Sequence, residues 1–157
     1  MRVVIDTDVL LSGLRSEHGA SRVLIIAARE GILRPVINVG MVFEYEAVLK
    51  RSSNLTATGL TSSEVDAFLE AWIILSDRIV RHHPGRPHVM DPNDAVFADA
   101  AVAGLADALI TFNISDYRLT DPRGGRLPVA TVRPGEFLRG LTWRPSTTSL
   151  SAFLRRC

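Results

Sequence analysis

Cysteine and lysine are nearly missing from this chain, and each shortage removes a class of chemistry. The one cysteine is Cys157, the last residue, so no disulfide can form within the chain and a catalytic thiol is not expected. Of 18 basic residues only Lys50 is lysine. Phosphoryl transfer through an aspartyl nucleophile, which the Asp-x-Asp of "IDTDVL" could suit, normally needs a later lysine near the phosphoryl group, and Lys50 in "VLKRSSN" looks exposed. No apolar run reaches the roughly 18 residues of a spanning helix. The few apolar residues ahead of Asp6 fall short of a signal-peptide core, so the chain is expected to be cytoplasmic, with no membrane role. There is no internal repeat and no low-complexity stretch.

What remains is 157 residues, 46% of them hydrophobic, enough for one domain with a full core. The formal net charge of +1 argues against both a polybasic tail and an acidic solvating protein. Arginines thicken toward the C-terminal half, from Arg78, Arg81 and Arg86 to Arg155 and Arg156. Their planar fork suits phosphate, although the codon usage of a GC-rich genome accounts for most of the bias.

Strand and helix signals alternate. "RVVI" is a β-branched run of the kind buried on both faces of a parallel sheet, and it stops at Asp6. A helix follows in "SRVLIIAAREGIL", with Ser21 as its cap and Gly31 as its stop. "RPVIN" reads as the second strand and "VGMVFEYEAVLKR" as a helix. After the polar stretch "SSNLTATG", the Thr61 to Glu64 spacing is a capping box opening "TSSEVDAFLEAWIILSD". "RIV" is a third strand candidate. "DPNDAVFADAAVAGLA" is a helix with Pro92 near its first turn, "DALIT" and "LPVAT" are strands, and "RPGEFLRG" is a last helix. The alternation predicts an α/β fold, a three-layer α/β/α sandwich whose mostly parallel central sheet has about five strands. The expected domain is 1–140, with 141–157 an extension that could be a dimer arm or a partner contact.

The acids fall where such a fold collects function, beyond the carboxyl ends of the strands. Asp6 ends strand one, Glu44 sits on the helix after strand two, Asp94 opens the helix before "ALIT", and Asn113 and Asp116 follow that strand. Phe43, Val48 and Leu49 should draw the Glu44 helix onto the sheet. Four carboxylates in one cleft repel one another unless cations neutralise them. Oxygen-rich clusters without His or Cys select Mg²⁺ or Mn²⁺, and a pair of such ions about 4 Å apart can support in-line phosphodiester displacement. The cluster suggests a nuclease.

Plainer readings compete. Asp91 and Asp94 can each simply cap a helix, Asp8 can cap the short turn "VLLSG", Asp99 can be merely solvated, and Glu44 beside Glu46 can face water. Asp6 resists this treatment, because a carboxylate directly after an apolar strand is costly without a cation or donors. His82, His83 and His88 in "RHHPGRPH" lack the spacing of a zinc site and read as a surface loop. Trp72 reads as core, and Trp143 could stack on bases.

"VVIDTDVLLSG" resembles the opening motif of PIN-domain proteins, "FEYEAVL" their second motif, and "DPNDAVFADAAVAGLADALIT" their third. "TFNISDY" followed by "PGEFL" is similar to the ending of the VapC-like toxins. The likeness runs from about residue 2 to residue 140 and rests on the order and spacing of the motifs together. It implies an α/β/α sandwich and a metal-dependent ribonuclease using Mg²⁺ or Mn²⁺, commonly the toxin of a toxin-antitoxin pair. The metal-site role is carried to Asp6, Glu44, Asp94 and Asp116. Asp8, Asp91, Asp99, Thr111 and Asn113 are candidates for an outer shell. Many PIN proteins have Asp where this chain has Asn113, so either Asp116 supplies the fourth acid or the second metal site is weak. The implied partners are RNA, a cognate antitoxin and a second copy of the chain. A scaffold that keeps the acids but only binds RNA or protein is the alternative. Arg15, in the loop after "VLLSG", and Arg118, just past Asp116, are the expected RNA contacts, extended by Arg81 and Arg86.

Overall fold

Val3, Val4 and Ile5 point alternately to opposite faces of a strand, yet all three are buried, so β1 (Arg2–Ile5) is covered on both sides. The same holds for Val36 and Ile37 in β2 (Arg34–Ile37) and for the whole of β4 (Ala108–Ile110). With β3 (Asp77–Arg78) and β5 (Ala130–Val132) they form a five-stranded, all-parallel sheet in the order β3-β2-β1-β4-β5. The structure, a computed structural model, describes residues 1–80, 89, 94–118 and 127–143. Among these residues no helix is long and apolar enough to cross a membrane.

Among the described residues, every crossover but that from β4 to β5 contains a helix, the usual link between parallel strands. Two helices join β1 to β2: α1 (Thr7–Arg15) and α2 (Ala20–Arg29). Three join β2 to β3: α3 (Val39–Leu49), α4 (Ser52–Thr58) and α5 (Ser62–Leu75). Next come α6 (Ala95–Ala103), packed across β1, β2 and β4, and α7 (Pro134–Arg139), packed on α2. The α/β architecture expected from the alternation is therefore present.

Several local expectations change. "TDVLLSGLR" is a full helix rather than a short turn, so Asp6 takes the N-cap position, Asp8 lies inside the first turn, and Arg15 is the last helical residue rather than part of a loop. The α2 helix is capped by Gly19; Ser21 lies within it and is buried. The polar stretch before the capping box also coils into α4, which buries no residue and closes on Gly59 at φ 69°. Thr61 and Glu64 do form the reciprocal capping box. Lys50 is occupied rather than free: it bridges Glu46 at 2.8 Å and Asp66 at 2.5 Å, tying α3 to α5. Trp72 is fully buried in the core.

Where α1 meets α2 the contact runs through Gly13. A methyl group there would lie 2.6 Å from Ile25 Cδ1 and 2.9 Å from the Ser21 carbonyl oxygen, and the carbonyl cannot swing aside. Alanine would otherwise stabilise the helix by about 1 kcal/mol, whereas overpacking costs about 1–3 kcal/mol. Gly13→Ala is therefore expected to lower the denaturant midpoint. A raised midpoint would mean that the two helices separate without cost.

Candidate active site

Strand order reverses between β1 and β4, and ligands of open α/β sheets settle beyond the carboxyl ends at such a point. Asp6 leaves β1 there. Its N–H still donates to the Ile110 carbonyl at 3.0 Å, while its own carbonyl accepts from Val9 and Leu10 at 3.1 Å each and starts α1. An N-cap aspartate ordinarily turns its side chain back onto the helix. Asp6 makes no such bond. Instead Oδ2 accepts from Thr111 Oγ1 at 2.6 Å, and Thr111, fully buried at the end of β4, accepts the Asn113 N–H at 2.9 Å.

Burial pushes the Asp6 carboxyl above its ordinary value, and the like charge of Asp8 adds to this, while the Thr111 hydroxyl and the Thr7 N–H pull the other way. Desolvation is the largest cause and prevails. Tyr117, buried beside Asp6, has its hydroxyl driven up, first by burial and then by the charges of Asp6 and Asp94. That hydroxyl is near enough to Asp6 to influence it but makes no formed hydrogen bond.

Two helices bring further acids. Asn38 caps α3 by accepting from the Met41 N–H at 2.9 Å, and its amide donates to the Val96 carbonyl of α6 at 2.9 Å, so one side chain sets both helix starts. Tyr45 donates to the Ile5 carbonyl next to Asp6, and its ring packs on Phe97 with centroids 5.8 Å apart. Glu44 precedes that anchored tyrosine. Met41, Tyr45, Val48 and Leu49 hold α3 on the core, whereas Phe43, expected to help, is 65% exposed. Asp94 occupies the N-cap of α6 without a side-chain capping bond, so the plain capping role does not account for it. Asp116 sits in the turn after β4, where its N–H donates to the Asn113 carbonyl at 3.1 Å and Ser115 Oγ donates to Oδ1 at 3.2 Å.

The result is a cleft of about 240 Å³ whose walls include five carboxylates, from Asp6, Asp8, Glu44, Asp94 and Asp116, together with Asn113. Thr111 stands behind Asp6. Asp99 is not among the lining residues; it is buried in α6 rather than solvated. Arg15 is exposed at the end of α1, and Arg118 lines a different hollow with Ile114 and Leu127. Asp91, Arg81, Arg86, Pro92 and the three histidines of "RHHPGRPH" lie outside the described residues, as does the extension beyond residue 143.

Two lining residues escaped the sequence analysis. Arg51 brings a cation into the acid cleft. Glu44, Val48 and Arg51 share an i, i+4, i+7 spacing on the helix expected from "VGMVFEYEAVLKR", but α3 ends at Leu49 and Arg51 is the N-cap residue of α4, so the corner between the two helices places it. Thr7 lines the cleft with Oγ1 buried and without a hydrogen-bond partner. It is the Thr between the two aspartates of the opening motif "VVIDTDVLLSG", to which the sequence analysis assigns no role in the site.

The donor set, oxygen without His or Cys, fits a hard divalent cation. An orphaned Thr7 hydroxyl and a carboxyl held above its ordinary value are what a cation at this place would relieve. Among the described residues no three ligating side chains converge tightly enough to hold an ion alone. Mg²⁺ commonly takes one or two carboxylates and completes its shell with water and substrate phosphate, so an open arrangement is compatible with it.

No curated protein matches the chain significantly. The model of the PIN domain matches residues 2–115, most of the chain and every strand through β4. With the parallel sheet and the acid cleft at its switch point, that match places the chain in the PIN-domain family.

Proposed function

We propose that this chain is a metal-dependent endoribonuclease and the toxin of a toxin-antitoxin pair, acting in the cytoplasm. PIN domains are generally nucleases. The observation that carries the reading further is the convergence of Asp6, Glu44, Asp94 and Asp116 from four separate elements on one cleft. Such spending of buried and half-buried charge has no structural return in an apolar core.

Asp6, Asp94 and Asp116 would hold Mg²⁺ or Mn²⁺, with Glu44 orienting water or holding a second ion. When bound, the metal supplies an activated water and charge stabilisation at the phosphodiester. Thr111 fixes the Asp6 carboxylate, and Asp8 and Asn113 stand at the rim to orient the hydration shell. Arg51 offers a fork to the phosphate that the acids would otherwise repel. Partners proposed with this role are RNA as substrate, a cognate antitoxin whose arginines approach the acids, and a second copy of the chain.

The deciding experiment incubates the purified protein with transfer, messenger and ribosomal RNA in Mg²⁺, Mn²⁺ or EDTA. Cleavage that needs either ion is expected. Equal cleavage in EDTA would end the metal mechanism, and binding of RNA without cleavage in either ion would favour a scaffold.

A further inference from the structure

The cations best placed beside the acid cleft are not the two expected from the sequence. β4 and β5 run parallel with Ile110 opposite Val132, and the Thr111 N–H donates to the Val132 carbonyl at 3.0 Å. The next residues, Phe112 and Arg133, therefore leave neighbouring strands at the same edge of the sheet. Both line a hollow of about 440 Å³, which Arg139 of α7 and Ser12 of α1 also border. Phe112 directly precedes Asn113, a wall of the acid cleft, so this loop lends consecutive residues to the two hollows.

Three features of the second hollow call for a ligand. Phe112 is 40% exposed, an aromatic ring placed in water. Arg133 and Arg139 are exposed, and among the described residues neither is ion-paired. Glu136 is the single acid in the lining, so the cations outnumber it. An acid cleft repels RNA, and cations beside it must supply the attraction. An aromatic face next to arginines is how single strands are held without regard to sequence, the base stacking and the phosphates pairing with the forks.

We propose that this hollow is a subsite for single-stranded RNA, in which Phe112 stacks on a base flanking the scissile phosphate while Arg133 and Arg139 hold the adjoining phosphates. The inference rests on the nuclease reading and assigns the path of its substrate.

The test uses the full chain in EDTA, with binding of a labelled single-stranded RNA of mixed sequence followed across a salt series. Phe112→Ala should weaken binding about tenfold with the salt slope kept, and Phe112→Trp should restore it. The double variant Arg133→Ala with Arg139→Ala should flatten the slope by about 1.4, at roughly 0.7 per phosphate. Unchanged melting temperatures would show that the fold is intact. If the unaltered chain binds RNA in EDTA and cuts it once Mn²⁺ is supplied, while both variants match it in affinity and slope, the subsite is wrong and the nuclease reading survives. If the unaltered chain neither binds RNA in EDTA nor cuts it with Mg²⁺ or Mn²⁺, both fall together.

Discussion

Asp6→Asn is expected to reduce RNA cleavage by a factor on the order of 10³ while making the protein harder to unfold. The loss follows from position: among the cleft carboxylates Asp6 alone ends the central strand and is fixed by a buried hydroxyl, and removing a group that stabilises charge in the transition state costs several kcal/mol. The gain follows from burial. Because the folded state holds this carboxyl above its ordinary value, its ionised form is worse tolerated in the fold than in the unfolded chain. Below the unfolded value both states are protonated and no penalty exists. As pH rises through the folded value the penalty becomes complete. The variant's advantage in melting temperature should accordingly be absent at strongly acid pH, grow as pH rises and level off near neutrality. Millimolar Mn²⁺ should narrow it by stabilising only the unaltered protein. An Asn variant that is less stable at every pH would show that Asp6 is satisfied by the protein alone.

Thr111→Val should lower activity by about 10–100-fold, the usual cost of removing a partner that orients a ligand, and should shift its pH dependence. The Thr111 hydroxyl opposes the desolvation of Asp6, so without it the Asp6 carboxyl moves further up. If the ionised carboxylate is the active form, the acid limb of the rate profile must move to higher pH. The same hydroxyl accepts the Asn113 N–H, so Thr111→Ser, which keeps both bonds, should return most of the rate and the original profile. A rate loss with an unmoved profile would indicate that Thr111 merely packs.

The sequence displays β1 and β2 well because their ends are runs of buried β-branched residues, and the capping box of α5 because its two partners are three residues apart. It conceals α1, where Thr, Ser and Gly interrupt the apolar ripple, and α4, which buries nothing and so has no ripple to show. β3 is only two residues long, and Asp77 is drawn in by Arg2 of β1 and Arg34 of β2 at 3.3 and 3.6 Å, a long-range effect. The acids could be placed near one edge from strand ends alone. Arg51 reaches the cleft through the corner between α3 and α4, which helical spacing does not describe, while the bond from Thr111 to Asp6 and the meeting of Phe112 with Arg133 depend on which strands become neighbours. That order is written in no local stretch.

The central position of β1 also sets when the cleft can exist. Once made, β1 must wait for β4, 105 residues later in the case of Asp6 and Thr111, before this neighbour arrives. Pairings this distant close slowly, because the chain's loop entropy is spent before any contact repays it. A nascent chain ending anywhere before β4 holds Asp6 but neither Thr111 nor Asp116 to complete its surroundings. If the cleft cuts RNA, that activity would thus be withheld from the message and ribosome producing it until β4 and the turn after it have emerged.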